Sequence, residues 1–179
     1  MIEAAERVLV RDGLAGVTVR AVATEAGVAP MGVYNRFGSK DRLVAAVLAS
    51  GFDKLHEALG ETGGGDPAQR LAAAGRSYRR FAVEHPHQYR AMFGDARLGI
   101  EPTVELAESA GAAFAALVLT VDRAMLARAL RPGDPQETAA LIWSAVHGAV
   151  SLELAGLAKS ADPAARFDAL IATLMAGLR

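Results

Sequence analysis

Six of the chain's seven prolines, at positions 30, 67, 86, 102, 135 and 163, stand at the head of a run with helical apolar spacing rather than inside one. Proline is tolerated in the first turn of a helix, where its missing N–H would be unbonded anyway, and breaks a helix further in. These residues therefore divide the chain into helices and mark their starts. Breaks are sharpest at Gly63-Gly64-Gly65-Asp66-Pro67, His85-Pro86, Arg131-Pro132-Gly133-Asp134-Pro135 and Asp162-Pro163. Alanine, leucine, valine and glycine dominate and aromatics are few, which suits packed helices rather than sheets. The fold class expected is all-α with about nine helices. They are placed at Ile2 to Asp12 (closed by Gly13), 19 to 26, Pro30 to Phe37, just after Ser39 to Leu59, Pro67 to Glu84, Pro86 to Phe93, Pro102 to Leu130, Pro135 to Leu157, and Pro163 to nearly Arg179. Residues 94 to 102 read as a loop, and no strand or internal repeat is expected.

Several function classes fall away at once. The 179 residues contain no cysteine, which removes disulfides, thiolate metal sites and a thiol nucleophile. His85 and His87 are two apart, so a helix points them to different sides, and no third ligand is at hand. Gly63-Gly64-Gly65 lacks the lysine and hydroxyl of a P-loop, and there is no nucleophile elbow. Neither enzyme activity, metal nor cofactor is expected. The apolar run Ala139–Leu152 is 14 residues long and holds His147, whereas a membrane span needs roughly 20 apolar residues. No signal peptide is visible at the N-terminus, so a cytoplasmic protein without membrane partners is expected.

The stretch from Thr18 to Lys40 carries the most functional information. Thr18 is suited to cap a short helix whose Val19, Val22, Ala23 and Ala26 share one face. Gly27 accepts the left-handed backbone that ends a helix, and Pro30 starts the next. Two short helices crossing closely make a helix-turn-helix, whose second helix enters the DNA major groove. The pattern alone equally describes an αα-hairpin with no DNA role. The residues after the turn add detail: Val33, Tyr34 and Phe37, then Gly38-Ser39-Lys40 opening a long helix. With these, residues 2 to 50 closely resemble the N-terminal domain of the TetR/AcrR family of transcriptional regulators.

That resemblance implies a DNA-binding domain over 1–50, its fourth helix continuing to about 60, and a regulatory, ligand-binding and dimerisation domain over 66–179. It places Thr18, Tyr34 and Lys40 at phosphate-contacting positions, which set register. Pro30, Met31 and Asn35 occupy positions that read base edges, Asn35 suiting adenine and the other two a thymine methyl. Tyr34 and Phe37 are also at core spacing. The sequence departs from the family in having Ala29 where serine or threonine is common and Arg36 where histidine is common. Ala29 gives up a cap and a phosphate hydroxyl, while Arg36 restores a cation. The basic arm that many members carry before the first helix is not seen. Six cations against five anions over residues 1–50 make this part barely basic, and the whole chain has net charge −1. Affinity then depends on where charges sit and on backbone N–H groups at helix starts.

Trp143, His147 and Gly148 form a W-x-x-x-H-G pattern, which together with His85-Pro86-His87-Gln88-Tyr89 resembles the C-terminal domain of the family's Trp-His-Gly subgroup. The implied pocket, for a small hydrophobic effector, is lined by Tyr78, Phe81, Tyr89, Met92, Phe93, Phe114, Trp143 and His147. The same residues at helical spacing equally describe core. The penultimate and last helices are expected to form a homodimer through Val146, Val150, Leu154, Leu157, Leu170, Leu174 and Leu178. The function implied is a ligand-released regulator of a near-palindromic operator, by default a repressor. The alternative is a small-molecule-binding or scaffold protein that has lost operator binding.

Overall fold

The computed structural model describes residues 1–60, 65–94 and 99–179, and among these every regular element is helical. Gly63 and Gly64 of the expected glycine break, and 95–98 of the expected loop, lie outside the described residues. Nine helices occur among the described residues: α1 Ile2–Gly16, α2 Val19–Ala26, α3 Pro30–Phe37, α4 Lys40–Gly60, α5 Pro67–Glu84, α6 Pro86–Phe93, α7 Val104–Leu126, α8 Pro135–Leu154 and α9 Pro163–Gly177. Five prolines open helices directly, and Pro102 precedes Thr103, whose Oγ1 accepts from Leu106 N–H at 3.2 Å to cap α7. Asp66 and Gln69 form a reciprocal capping box at α5, each side chain accepting from the other's backbone N–H at 2.9 and 3.2 Å. Asp134 Oδ1 accepts from Gln136 N–H at 2.7 Å, and Asp162 Oδ1 from Ala165 N–H at 2.9 Å.

Helix ends differ more from expectation than helix starts. α1 runs on to Gly16, with Gly13 (φ 71, ψ −180) interrupting its helical backbone. α7 ends at Leu126 rather than Leu130, because Arg128 turns left-handed at φ 57. Ala129 N–H then bonds Ala124 O at 2.8 Å and Arg128 N–H bonds Met125 O at 2.9 Å, a Schellman closure without glycine. α8 ends at Leu154 in the same motif, there with Gly156 at φ 71.

By compactness the chain forms two units, Met1–Lys54 with His85–Ala112, and Leu55–Glu84 with Ala113–Arg179. Sequence punctuation thus differs from compactness, since α6 packs with the N-terminal helices, α1 among them. The first unit closes on Val8, Leu9, Val17, Val22, Val33, Leu43, Leu48 and Met92, all fully buried. There α6 crosses α4 at Gly51, where a Cβ would stand 2.5 Å from Gln88 Nε2 and 2.7 Å from Met92 Sδ. Glycine is required by that approach, and buried Gln88 uses it to donate to Val47 O at 2.8 Å. The second unit is centred on Tyr78, Phe81, Val121, Val150, Phe167 and Ile171. A two-pronged ion pair, Arg79 to Glu153 at 2.6 and 2.8 Å, ties α5 to α8, with the Arg79 guanidinium 6.0 Å from the Phe167 ring of α9.

Candidate nucleic-acid interface and regulatory cluster

The helix-turn-helix is closed at each joint by a local device. Thr18, extended at φ −120 and ψ 155, accepts from Ala21 N–H at 3.2 Å through Oγ1, leaving its hydroxyl proton free to donate outward. Gly27 is left-handed at φ 67, and Val28 N–H bonds Ala23 O at 2.9 Å, so α2 stops and the chain reverses within two residues. Ala29 precedes α3 in extended conformation with no side-chain cap, leaving Pro30 alone to suit the helix start. Gly38 at φ 80 closes α3, and Ser39 Oγ accepts from Arg42 N–H at 3.2 Å to open α4.

This geometry sorts the expected contact residues. Val33 is fully buried and Phe37 half-buried, which fixes the inner face of α3. Ala29, Pro30, Met31, Tyr34, Asn35, Arg36 and Lys40 are exposed, and Thr18 is half-buried. Tyr34, at core spacing in the sequence, is 49% exposed and Met31 65%. Tyr34 therefore lies outside the core, despite its spacing.

Charge is arranged so that the small net excess understates what is available. Glu25 on α2 accepts from Arg7 at 2.7 Å and from Arg11 at 2.8 Å, and Arg11 also pairs with Asp12 at 3.0 Å. The Arg7 hydrogen bond, then that of Arg11, holds the Glu25 carboxyl below its ordinary range. Glu6 accepts from Lys54 at 2.6 Å and from Ser50 at 2.8 Å. Two of the six cations in 1–50 are thus committed to joining α1 to α2. Arg20, Arg36, Lys40 and Arg42 are exposed and make no ion pair among the described residues. Three of those four lie between Arg36 and Arg42, where α3 gives way to α4.

The eight expected pocket residues fall into both compact units. In the second, a connected row runs from Tyr78 through His147 and Trp143 to Phe114. Tyr78 Oη lies 2.9 Å from His147 Nδ1, the Trp143 and His147 rings are 5.4 Å apart, and Phe114 meets Trp143 edge-on at 6.2 Å. Ser151 Oγ stands 3.5 Å from His147 Nε2, the outer limit of a hydrogen bond. Burial lowers the His147 pKa below its ordinary 6.5, so the ring is neutral at neutral pH and engages one hydroxyl as donor and one as acceptor. Phe81 is buried on the same helix as Tyr78. In the first unit, Tyr89 and Phe93 stack at 4.9 Å, Phe93 meets Phe52 edge-on at 5.4 Å, and Met92 fills the space over Gly51. Sequence reasoning missed Ser151, although it sits one turn from His147, and missed Phe52.

Two of the seven residues expected at a dimer joint are buried within the second unit. Val146 and Val150 are 3% and 0% exposed, enclosed in the second unit's own core and unable to face a partner. The outward stripe of α8 is instead Leu141, Ala145, Gly148 and Leu152, with Leu141 and Leu152 exposed. Ala145, Gly148, Ala149 and Leu152 line one side of a groove of about 330 Å³, with Phe167 and Leu170 of α9 opposite. Leu157 is exposed, and Leu154, Leu170, Leu174 and Leu178 are half-buried. α7, 23 residues long and with an 18-residue stretch of mean hydropathy 1.6, is long and apolar enough to cross a membrane, a length that the apolar run at 139–152 does not reach.

Comparison with known proteins gives a consistent answer. The family model for bacterial regulatory proteins of the tetR family matches residues 1–47, and that for a tetracyclin repressor-like C-terminal domain matches residues 71–174. The uncharacterized HTH-type transcriptional regulator Rv0681 of Mycobacterium tuberculosis is 33% identical over 99% of this chain and 79% of its own length. A protein of unknown function from Rhodococcus sp. RHA1 has the same fold at TM-score 0.89 with 27% identity, covering 99% of this chain and 92% of that one. The transcriptional regulator FadR from Bacillus subtilis, solved in complex with stearoyl-CoA, superposes at TM-score 0.78 with 17% identity, over 99% and 97% of the two chains. The matched families and the curated relative are transcriptional regulators, not enzymes.

Proposed function

Because the chain belongs to the TetR family of bacterial transcriptional regulators, we propose that it binds a near-palindromic operator as a homodimer and is released from it by a small apolar effector. The observation that carries this reading is α3, held between two left-handed glycines with Val33 buried and Pro30, Met31, Tyr34 and Asn35 outward. Thr18, Tyr34 and Lys40 set register on phosphate, Arg36 adds a cation, and Pro30, Met31 and Asn35 meet base edges. Two such helices about 34–36 Å apart span one turn of B-DNA. The effector's polar contact is the Tyr78–His147–Ser151 group, and Phe114 and Trp143 supply its apolar wall. A fold neighbour that binds stearoyl-CoA is in keeping with an apolar effector. Repression is the default mode, in the cytoplasm.

Ala29 favours a second reading, in which the fold is kept as a ligand-binding module without operator binding, since the hydroxyl that would cap α3 and meet a phosphate is missing. Selection from a random duplex library at near-physiological salt separates the two. Recovery of one palindromic sequence, with affinity that falls steeply with salt, supports the regulator. A folded protein that enriches nothing supports the module.

A further inference from the structure

Gly32 stands in the middle of α3, and nothing among the described residues asks for glycine there. Its φ is not in the left-handed region, unlike Gly27 and Gly38 on either side of the helix. Among the described residues, a Cβ built on it would meet only Val28, at 3.9 Å, which is ordinary van der Waals contact. By contrast Gly51 and Gly75 are held by neighbours at 2.5 and 2.6 Å. Glycine is also among the least favourable residues within a helix, second only to proline. In an eight-residue helix that already lacks a side-chain cap, this choice weakens the element without an internal return. A partly exposed glycine so placed leaves room for the close approach of something from outside.

The surroundings identify what approaches. Gly32 is partly exposed, and its neighbours Val28 and Met31 are 38% and 65% exposed, apolar side chains that present neither donor nor acceptor. Pro30 is exposed as well. On base edges in the major groove, the apolar group available is the C5-methyl of thymine. We infer that Gly32 is a contact position, a bare stretch of recognition-helix backbone on which a thymine methyl of the operator half-site packs, with Val28 and Met31 flanking it. This inference rests on the regulator reading and adds to it Gly32 as a position that reads the thymine methyl of an A·T pair.

The test uses the full chain and the operator recovered by library selection. Gly32→Ala is expected to raise Tm by roughly 2–4 °C, since the helix gains propensity and no contact inside the protein is lost. The same variant is expected to lose roughly tenfold or more in operator affinity, as an extra methyl overfills the contact. Replacing the contacted thymine by uracil, which deletes the methyl alone, should cost the native protein roughly fourfold per half-site. In Gly32→Ala that replacement should cost nothing further, because the new methyl occupies the vacated space. A variant that binds the native operator as tightly as the parent overturns the inference and leaves the regulator reading intact. So does a variant whose Tm falls, which would make Gly32 a packing residue, or a native protein indifferent to uracil throughout the half-site. A native protein that selects no sequence overturns both.

Discussion

His147 shows how one side chain ties stability to pH. Its ring is flanked by Tyr78 and Ser151 hydroxyls and by Trp143, and burial holds its pKa below the ordinary 6.5. In the unfolded chain the ring takes up a proton as pH falls through 6.5, while the folded state still resists it. Stability therefore is fully present above about pH 6.5 and is lost as pH falls through the lowered folded value. Urea unfolding at pH 7.5 and pH 5 should show a larger drop for the native protein than for His147→Gln, which has nothing to titrate at that site. Parallel drops in the two proteins would mean that the cluster carries no pH-linked stability. The pair Trp143 and His147 was visible in the sequence because the two residues are four apart on one helix. Tyr78 reaches the ring from 69 residues away, so no local pattern announces which hydroxyl meets which nitrogen.

Elements begin where the sequence places them and end less predictably, for a physical reason. A helix start is written in one or two residues, a proline or a side chain that accepts a backbone N–H, and both kinds are plain at Asp66-Pro67, Asp134-Pro135 and Asp162-Pro163. A helix often ends on a left-handed residue, and glycine marks such ends at Gly27 and Gly156. At Arg128 the same Schellman turn forms on a residue with no such preference, which is why α7 reads four residues too long in the sequence. The face of α2 was legible because Arg20, Thr24 and Glu25 mark its outer side; that of α3 was less so, since Tyr34 sits at core spacing yet is exposed, and that of α8, apolar on nearly every side, was illegible. The weakest start is that of α3. Ala29→Ser should supply the absent cap, stabilise the protein by about 0.5–1 kcal/mol, and bring a hydroxyl to where a phosphate would lie. Thermal unfolding checks the first effect and operator titration the second. A gain in Tm with unchanged affinity would confine the introduced hydroxyl to a capping role and remove the phosphate contact from the interface.

For the molecule as a whole, the second unit leaves apolar surface on α8 uncovered among the described residues. α8 exposes Leu141 and Leu152, the latter beside a groove lined by Ala145, Gly148 and Ala149, and small residues of this kind allow a second helix to approach closely. A homodimer through this stripe, with α9, follows from the regulator reading, because two half-sites must be held in fixed register. Leu152 and Val146 make a discriminating pair. Leu152 is 48% exposed, so Leu152→Glu should leave the fold intact and place a charge in the joint. Val146 is 3% exposed, so Val146→Glu should bury an unpaired charge and cost about 4 kcal/mol or more, unfolding rather than dissociating the protein. Sedimentation should find the native chain dimeric and Leu152→Glu monomeric with unchanged helicity. The monomer must bind each half-site separately, without the high effective concentration that a linked second head provides, so operator affinity should fall by roughly 10²–10⁴-fold. A Leu152→Glu protein that remains dimeric and keeps its operator moves the joint off this face of α8, and a native chain that sediments as a monomer removes the paired recognition helices altogether.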